Sequence, residues 1–145
     1  MRVEEVSPEA THDLRWRILR SSRPEASVVF PEDSRPEAFH LAVRHDDTIL
    51  AVASFSPEAT AHRPGRNAVR LRGMAVDWAY QHHGLGRLLV TTVIDRLRSG
   101  GVDVLWCNAR DSAIGFYLRL GFELVGEGFV LPESGIPHHV MVRDL

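Results

Sequence analysis

The chain has 145 residues, 44% of them hydrophobic and 25% charged, with a formal net charge of −2. That length can enclose a core without disulfides or metal, the single cysteine, Cys107, excludes an intramolecular disulfide, and the slight acidity argues against nucleic acid as the main partner, since phosphate binding needs a clear positive excess. The opening MRVEEVSPEA lacks the apolar stretch of a signal peptide and no apolar run approaches the roughly 18 residues of a membrane span, so the expected location is the cytoplasm, with no membrane partner.

In chain order, RVEEVS alternates weakly and is expected as a strand. Ser7-Pro8 then supplies an N-cap followed by proline at the first helical position, with Glu9 in the first turn, which predicts a helix from about Pro8 to Arg20. SSRPEASVVFPEDSRPE carries three prolines and no stable period and reads as a loop with room for a short helical piece. AFHLAVRHDDTILAVASFS gives two β-rich runs around Asp46-Asp47, a hairpin pattern. AVRLRGMAVD is a further strand, and Gly73 inside it marks a bulge or a close backbone approach.

The segment QHHGLGRLLVTTVIDRLRSGG is expected to be a turn and an amphipathic helix. Leu85, Leu88, Leu89, Thr92, Val93 and Leu97 fall on one face, Arg87, Thr91, Asp95 and Arg98 on the other, and Gly100 is the predicted stop. VDVLWCN is apolar on both alternating faces, as a strand covered on both sides would be. Ala113, Phe116, Tyr117 and Leu120 recur at helical spacing, with Asp111 or Ser112 as cap and Gly121 as stop. FELVGEGFV and HHVMVRD close the chain as two strands.

Gly84 and Gly86 pose the functional question. A dinucleotide fingerprint needs a third glycine where Leu89 stands, and a nucleotide P-loop needs Lys and Ser or Thr where Arg87-Leu88 follows. What remains is a short turn whose bare N–H groups, backed by the helix dipole, face a phosphate or pyrophosphate, or a turn that is merely tight.

The segment Gln81-His82-His83-Gly84-Leu85-Gly86, with the strand LRGMAV before it and a helix after it, resembles the Q/R-x-x-G-x-G/A motif of the GCN5-related N-acetyltransferases. LWCNARDSAIGFYLRLGFELVGE resembles the second cofactor segment of that family, a strand ending in Asn followed by a helix with F-Y and then L-G-F. The resemblance covers about Ala38 to Leu145. With the alternating elements it gives the expected fold: a single α/β (α+β) domain over residues 1–145, with a mixed, mostly antiparallel central sheet flanked by helices.

The resemblance implies acetyl-CoA as cosubstrate, no metal, and a primary amine, on a small molecule or a peptide, as acceptor. Gln81 opens the loop, and the backbone around His82, His83, Gly84, Leu85, Gly86 and Arg87 is implied to hold the pyrophosphate, a role a side chain at either glycine would obstruct. Met74, Ala75 and Val76 match the strand that pairs with pantetheine, Gly73 being the bulge that splays it from VDVLWCN, and an amide of Met74 or Ala75 is the implied oxyanion donor. Asn108 matches the polar residue facing the pantetheine arm, against a plain turn role. Ser112 and Phe116 are implied to line the cofactor. Tyr117 matches the tyrosine that protonates the departing thiolate, a task that suits a phenol with a pKa near 10, against plain core packing.

Three departures from the family pattern stand out. Around the motif Trp78 replaces a usual proline and His82-His83 replaces glycine or basic residues; the strand Ala68–Val76 has Arg70 and Arg72 but no glutamate to serve as base; and Ser21–Glu37, in the region that often shapes the acceptor site in the family, lacks a clear second helix. On the last strand one of His138 and His139 should face inward, which makes them the candidate catalytic bases, with Glu127 and a water chain as competitors. Adjacent histidines on a strand point to opposite faces, so neither pair chelates a metal by itself. Cys107 reads as a buried apolar residue, and Trp16, Arg15, Arg17 and Arg20 as a mixture of core packing and solvated helix face. The expected activity is acetyl transfer to an amine by direct attack, the alternative being a non-catalytic acyl-CoA-binding or regulatory domain; a homodimer is compatible with either.

Overall fold

The N-terminal strand β1 (Arg2–Val6) lies antiparallel to β2 (Phe39–His45), placing Arg2 opposite Arg44 and Val6 opposite His40. β2 turns at Asp46-Asp47 into β3 (Thr48–Pro57), the expected hairpin, with Asp46 at φ 51°, in the left-handed region that Asp tolerates. The computed structural model describes residues 1–21 and 24–145 of the chain. They form two compact units, Met1–Ser56 with Leu71–Asp95, and Pro57–Arg70 with Arg96–Leu145. The remaining strands are β4 (Ala68–Val76), β5 (Val104–Arg110), β6 (Glu123–Val130) and β7 (Pro137–Asp144), and the strand order is β1-β2-β3-β4-β5-β7-β6. β1–β2, β2–β3, β5–β7 and β6–β7 are antiparallel and β4–β5 is parallel, so the sheet is mixed and largely antiparallel, as expected.

In the first unit, β3 is buried without a break from Leu50 to Ser56, the mark of a strand covered on both faces. Leu14, Ala42, Val52 and Ala75 form its core, with Val6, Ile18, Leu19 and Ile49 packed against it. The helix expected from Pro8 to Arg20 is helical but not uniform. A 3-10 turn (Pro8–Thr11), capped by the Ser7 hydroxyl, leads into one α turn, α1 (His12–Leu14), and then a wide π-type turn (Arg15–Leu19). The following loop contains two 3-10 turns, Glu25–Val28 and Pro31–Ser34; Ser22 and Arg23 of the predicted loop lie outside the described residues.

The long helix α2 (Leu85–Ser99) is present, with a rotated apolar face. Leu88, assigned inward from the sequence, is 36% exposed, while Val90 and Ile94 are buried beside Leu85, Leu89, Val93 and Leu97. Each buried aliphatic side chain of this stripe contributes about 1.5–3 kcal/mol. The left-handed residue that ends the helix is Gly101, not Gly100, and Val102 N–H donates back to the Leu97 carbonyl at 3.0 Å.

In the second unit, Ala68–Arg70 pairs with Val104–Trp106, and Ala68, Val104, Trp106 and Val142 form a core against Val125 and Val140. β6 shifts register between Val125 and Phe129, around Gly126, Glu127 and Gly128. The helix α3 (Ile114–Arg119) follows a 3-10 turn, Asp111–Ala113, and ends at Gly121 as expected. Neither Asp111 nor Ser112 caps it. Ala113 occupies the cap position without a side-chain bond, because the Asp111 carboxylate is engaged by His139.

Candidate functional site

The turn into α2 is held from several sides within the first unit. Asp77, just past β4, donates its backbone N–H to the Leu50 carbonyl at 2.8 Å. Its carboxylate caps the 3-10 turn Trp78–Tyr80 by accepting the Ala79 N–H at 3.0 Å and takes a hydrogen bond from Arg17 at 3.2 Å. Gln81, which the motif places at the loop opening, donates its side-chain amide to the Val76 carbonyl at 3.2 Å and so ties the start of the turn to the end of the strand. His82 (φ 66°) and Gly84 (φ 81°) are both left-handed, and these two reversals aim the chain into the helix.

The Gly84 carbonyl accepts the first helical bond, from Leu88 N–H at 3.0 Å. By helix geometry the N–H groups of Leu85, Gly86 and Arg87 therefore have no acceptor inside α2 and carry the positive end of its dipole. His82, His83, Gly84 and Arg87 are exposed, while Leu85 is buried and anchors the turn. A Cβ at Gly84 would meet nothing within 4 Å, so the protein's own demand for glycine there is the φ angle rather than space. Upstream, Gly73 has φ +63°, the irregularity expected in β4, and Met74, Ala75 and Val76 follow it, Ala75 buried and the other two half-buried.

A polar cluster that the sequence reading missed lies in the same unit. Arg15, read as part of a mixed or solvated helix face, is 0% exposed. Its guanidinium bridges both Asp33 carboxylate oxygens at 2.7 and 3.0 Å, donates to the Val28 carbonyl at 2.8 Å and the Ser54 hydroxyl at 2.6 Å, and stacks 3.8 Å from the Phe30 ring centroid. His40 Nδ1 lies 2.7 Å from the same Ser54 hydroxyl. Burial opposes the Asp33 charge, but the hydrogen bonds and charge of Arg15 prevail and hold its carboxyl below the usual range; burial pushes the His40 imidazole down and keeps it neutral. The available signal was helical spacing: Arg15 shares a face with Thr11, Leu14 and Ile18, and a charge on an apolar face needs a buried partner. Beside this cluster is a depression of about 170 Å³ including its open mouth, lined also by Glu32, Ser56 and Arg72. Arg72 donates to the Ser56 hydroxyl at 3.1 Å and stands 3.6 Å from the Glu32 carboxylate.

The second unit holds the remaining candidates. Tyr117 on α3 is 5% exposed, edge-on to Phe116 and Phe122 at centroid distances of 4.9 and 5.1 Å, and its hydroxyl neighbours the Cys107 thiol. Burial first, with Cys107 adding to it, pushes the phenol well above its ordinary value, and burial pushes the thiol up to about 12 against the lowering effect of Tyr117, so both are protonated at neutral pH. Asn108 is half-buried in β5 opposite Val140, Phe116 is half-buried, and Ser112 is exposed. His138 and His139 take opposite faces of β7. His138 is 5% exposed, stacked on Phe129, with Nδ1 2.8 Å from the Ile136 carbonyl. His139 is half-buried with Nδ1 2.7 Å from an Asp111 oxygen, so its Nε2 is the nitrogen left for exchange. Among the described residues no three His, Cys, Asp or Glu side chains come together as a metal site, and no helix is long and apolar enough to cross a membrane.

The sequence model of the Acetyltransferase (GNAT) family matches residues 8–122. The uncharacterized N-acetyltransferase YitI of Bacillus subtilis is 36% identical over 142 residues, covering 98% of this chain and 94% of that protein. The [ribosomal protein bS18]-alanine N-acetyltransferase of Escherichia coli is 47% identical over 55 residues, 36% of this chain and 37% of that one. Among solved structures, a putative N-acetyltransferase from Lactobacillus plantarum superposes with a TM-score of 0.82 at 19% identity, covering 99% of this chain and 97% of that one. An aminoglycoside 6'-N-acetyltransferase complexed with coenzyme A superposes with a TM-score of 0.79 at 15% identity, with the same coverage. With a matching family model over most of its length and a full-length relative above 30% identity, this chain belongs to the GNAT acetyltransferase family.

Proposed function

We propose that the protein is an acetyl-CoA-dependent N-acetyltransferase, residues 1–145 acting as one catalytic domain. The observation that carries this reading is the turn Gln81–Arg87: two left-handed residues lead into a 15-residue helix whose first N–H groups have no intrahelical acceptor, in a chain of this family. The amides of Leu85, Gly86 and Arg87 take the pyrophosphate, assisted by the exposed His82 and His83. Met74, Ala75 and Val76 pair with pantetheine, an amide of Met74 or Ala75 polarises the thioester carbonyl, and Asn108, Ser112 and Phe116 complete the cofactor contacts. The neutral amine forms the new C–N bond, the C–S bond breaks, the ammonium proton passes to a base, and Tyr117 gives its proton to the sulfur and regains one from solvent. His139, oriented by Asp111, is the base this reading prefers over His138, whose Nδ1 is occupied and whose ring is buried.

One observation favours the second reading, an acyl-CoA-binding domain without turnover. Tyr117 is buried between Phe116 and Phe122 with its hydroxyl beside Cys107, a packing role that is an adequate structural reason for its presence. Incubation with acetyl-CoA and a panel of amines, following thiol release, separates the two: binding by calorimetry with no release over the spontaneous rate supports the second.

A further inference from the structure

Between Val125 and Phe129 the strand β6 loses its register with β7, and the residues in the gap, Gly126, Glu127 and Gly128, are all exposed. Two glycines in one short strand give up side-chain packing and about 0.5–1 kcal/mol each relative to alanine, so each needs a reason. Gly126 has one in its own backbone, a φ of +70° that other residues rarely adopt. Gly128 is not in that region, and its exposure rules out core packing. What it leaves room for is a ring. A Cβ at Gly128 would lie 2.8 Å from Cε1, 2.9 Å from Nε2 and 3.5 Å from Nδ1 of His139. The closest approach is about 0.7 Å inside the ~3.5 Å at which carbon atoms normally meet.

The imidazole is held by its other nitrogen. Nδ1 stands 2.7 Å from the Asp111 carboxylate, in the turn before α3, and the edge that meets Gly128 is the one carrying Nε2. On β5, His139 pairs with Ala109, which brings no charge. The charged residues beside these contacts are Arg110, next to Ala109, and Glu127, next to Gly128. A methyl group at 128 leaves the ring two responses: it pivots off Asp111, or it stays and the methyl covers Nε2. Losing the carboxylate and losing solvent both disfavour the protonated ring, so either response moves its titration to lower pH.

We propose that Gly128 is a positioning residue for the base: its bare Cα gives the His139 ring the space to rest on Asp111 while Nε2 stays open to proton exchange. The assignment rests on the acetyl-transfer reading above, in which His139 is the base. The test compares Gly128→Ala, His139→Ala and the double variant with the parent, each as the intact protein. The His139 Cε1–H resonance, followed by NMR against pH, needs no turnover, and in Gly128→Ala its midpoint should move down by about half a pH unit or more. With saturating acetyl-CoA and the fastest amine of the panel, Gly128→Ala should lower kcat about tenfold or more, with the KM for acetyl-CoA within about twofold. The acidic limb of its pH–rate profile should move the same way as the resonance. The double variant should be no more than about twofold slower than His139→Ala, because both changes act on one ring. A midpoint that does not move overturns the proposal, as does a Gly128→Ala rate loss repeated in full when the ring is absent. Loss of the fold in Gly128→Ala that His139→Ala does not restore overturns it too. If His139→Ala keeps the parent rate, His139 is not the base and the proposal falls while acetyl transfer stands. If the parent releases no thiol with any amine, acetyl transfer falls, and the resonance alone decides whether Gly128 seats the ring: a lowered midpoint retains that contact, an unmoved one overturns it.

Discussion

The Tyr117 hydroxyl and the Cys107 thiol are neighbours inside the second unit, where α3 meets β5. The phenol thus has a packing role as well as a proposed catalytic one, and Tyr117→Phe separates the roles. The ring stays against Phe116 and Phe122, so removing the hydroxyl should change stability by no more than about 1 kcal/mol. If the hydroxyl protonates the leaving thiolate, turnover at saturating acetyl-CoA and amine should fall by about 10²–10⁴ with little change in cofactor affinity. Equal rates for the two proteins would assign Tyr117 to packing alone.

The same pair predicts an inert cysteine. With its pKa pushed up to about 12 by burial, the Cys107 thiol is almost wholly protonated at pH 7.5. A chromogenic disulfide reagent should label it orders of magnitude more slowly in the native protein than in denaturant. Rapid stoichiometric labelling of the folded protein would contradict the buried assignment.

Gly84 gives the most direct test of cofactor binding. Gly86 is buried, so a bulky residue there would probe packing as well, whereas a Cβ at Gly84 meets no protein atom within 4 Å. Gly84→Ala strains only the backbone at φ 81°, at a cost of about 1–2 kcal/mol. A folded variant should bind acetyl-CoA at least about tenfold more weakly, because the turn must rotate away from the geometry that aims its amides. Unchanged affinity by calorimetry would remove this turn from the site.

Arg15 and its partners set an acid limit to stability. Asp33 has a lowered pKa in the folded state, so the stability it contributes is present above its unfolded value, about 3.9, and is lost as pH falls below that. His40 is also lowered, so the unfolded chain takes up its proton first, and stability should begin to fall below about pH 6.5. In thermal melts, His40→Asn should flatten the pH 6.5–5 segment. Asp33→Ala should cost about 3–5 kcal/mol at neutral pH by leaving the Arg15 charge buried and unpaired. A neutral-pH loss below 1 kcal/mol would show that the guanidinium is not confined as described.

The two histidines of β7 should differ in kind. His139→Ala should shift or abolish the acidic limb of the pH–rate profile, since its Nδ1 is tied to Asp111 and Nε2 remains for proton exchange. His138→Ala should lower stability through lost stacking on Phe129 and leave the profile in place. A pH–rate profile that neither variant alters would exclude both.

Strand order aside, most of the fold was legible. Alternation gave the β2–β3 hairpin, two-sided apolarity gave β5, and the glycine motif gave the start of α2. The errors have local physical causes. Leu88 was assigned inward because helical spacing defines a face only to within about one residue, and Val90 and Ile94 show where the face lies. Asp111 looked like a cap because its residue type suits one, but its carboxylate is taken by His139 from β7, a contact 28 residues distant in the chain. The Arg15 cluster joins residues up to 39 apart, so no local window could assemble it. Of the candidate site, the motif residues were readable because their spacing is local, while Gly128 and His139 meet only through the fold.

Gly73 leaves so little room that a Cβ there would come 3.0 Å from Phe30 Cε2 and 3.1 Å from Arg15 Nε, at a φ of +63°. Any side chain at 73 must therefore be accompanied by a smaller or displaced ring at 30, and a guanidinium stacked on that ring would move with it. Substitutions at positions 15, 30 and 73 are thus coupled through direct contact. Across diverging relatives a larger residue at 73 should be met together with the loss of the aromatic at 30 and of the arginine at 15, so that the three drift as a block or stay fixed.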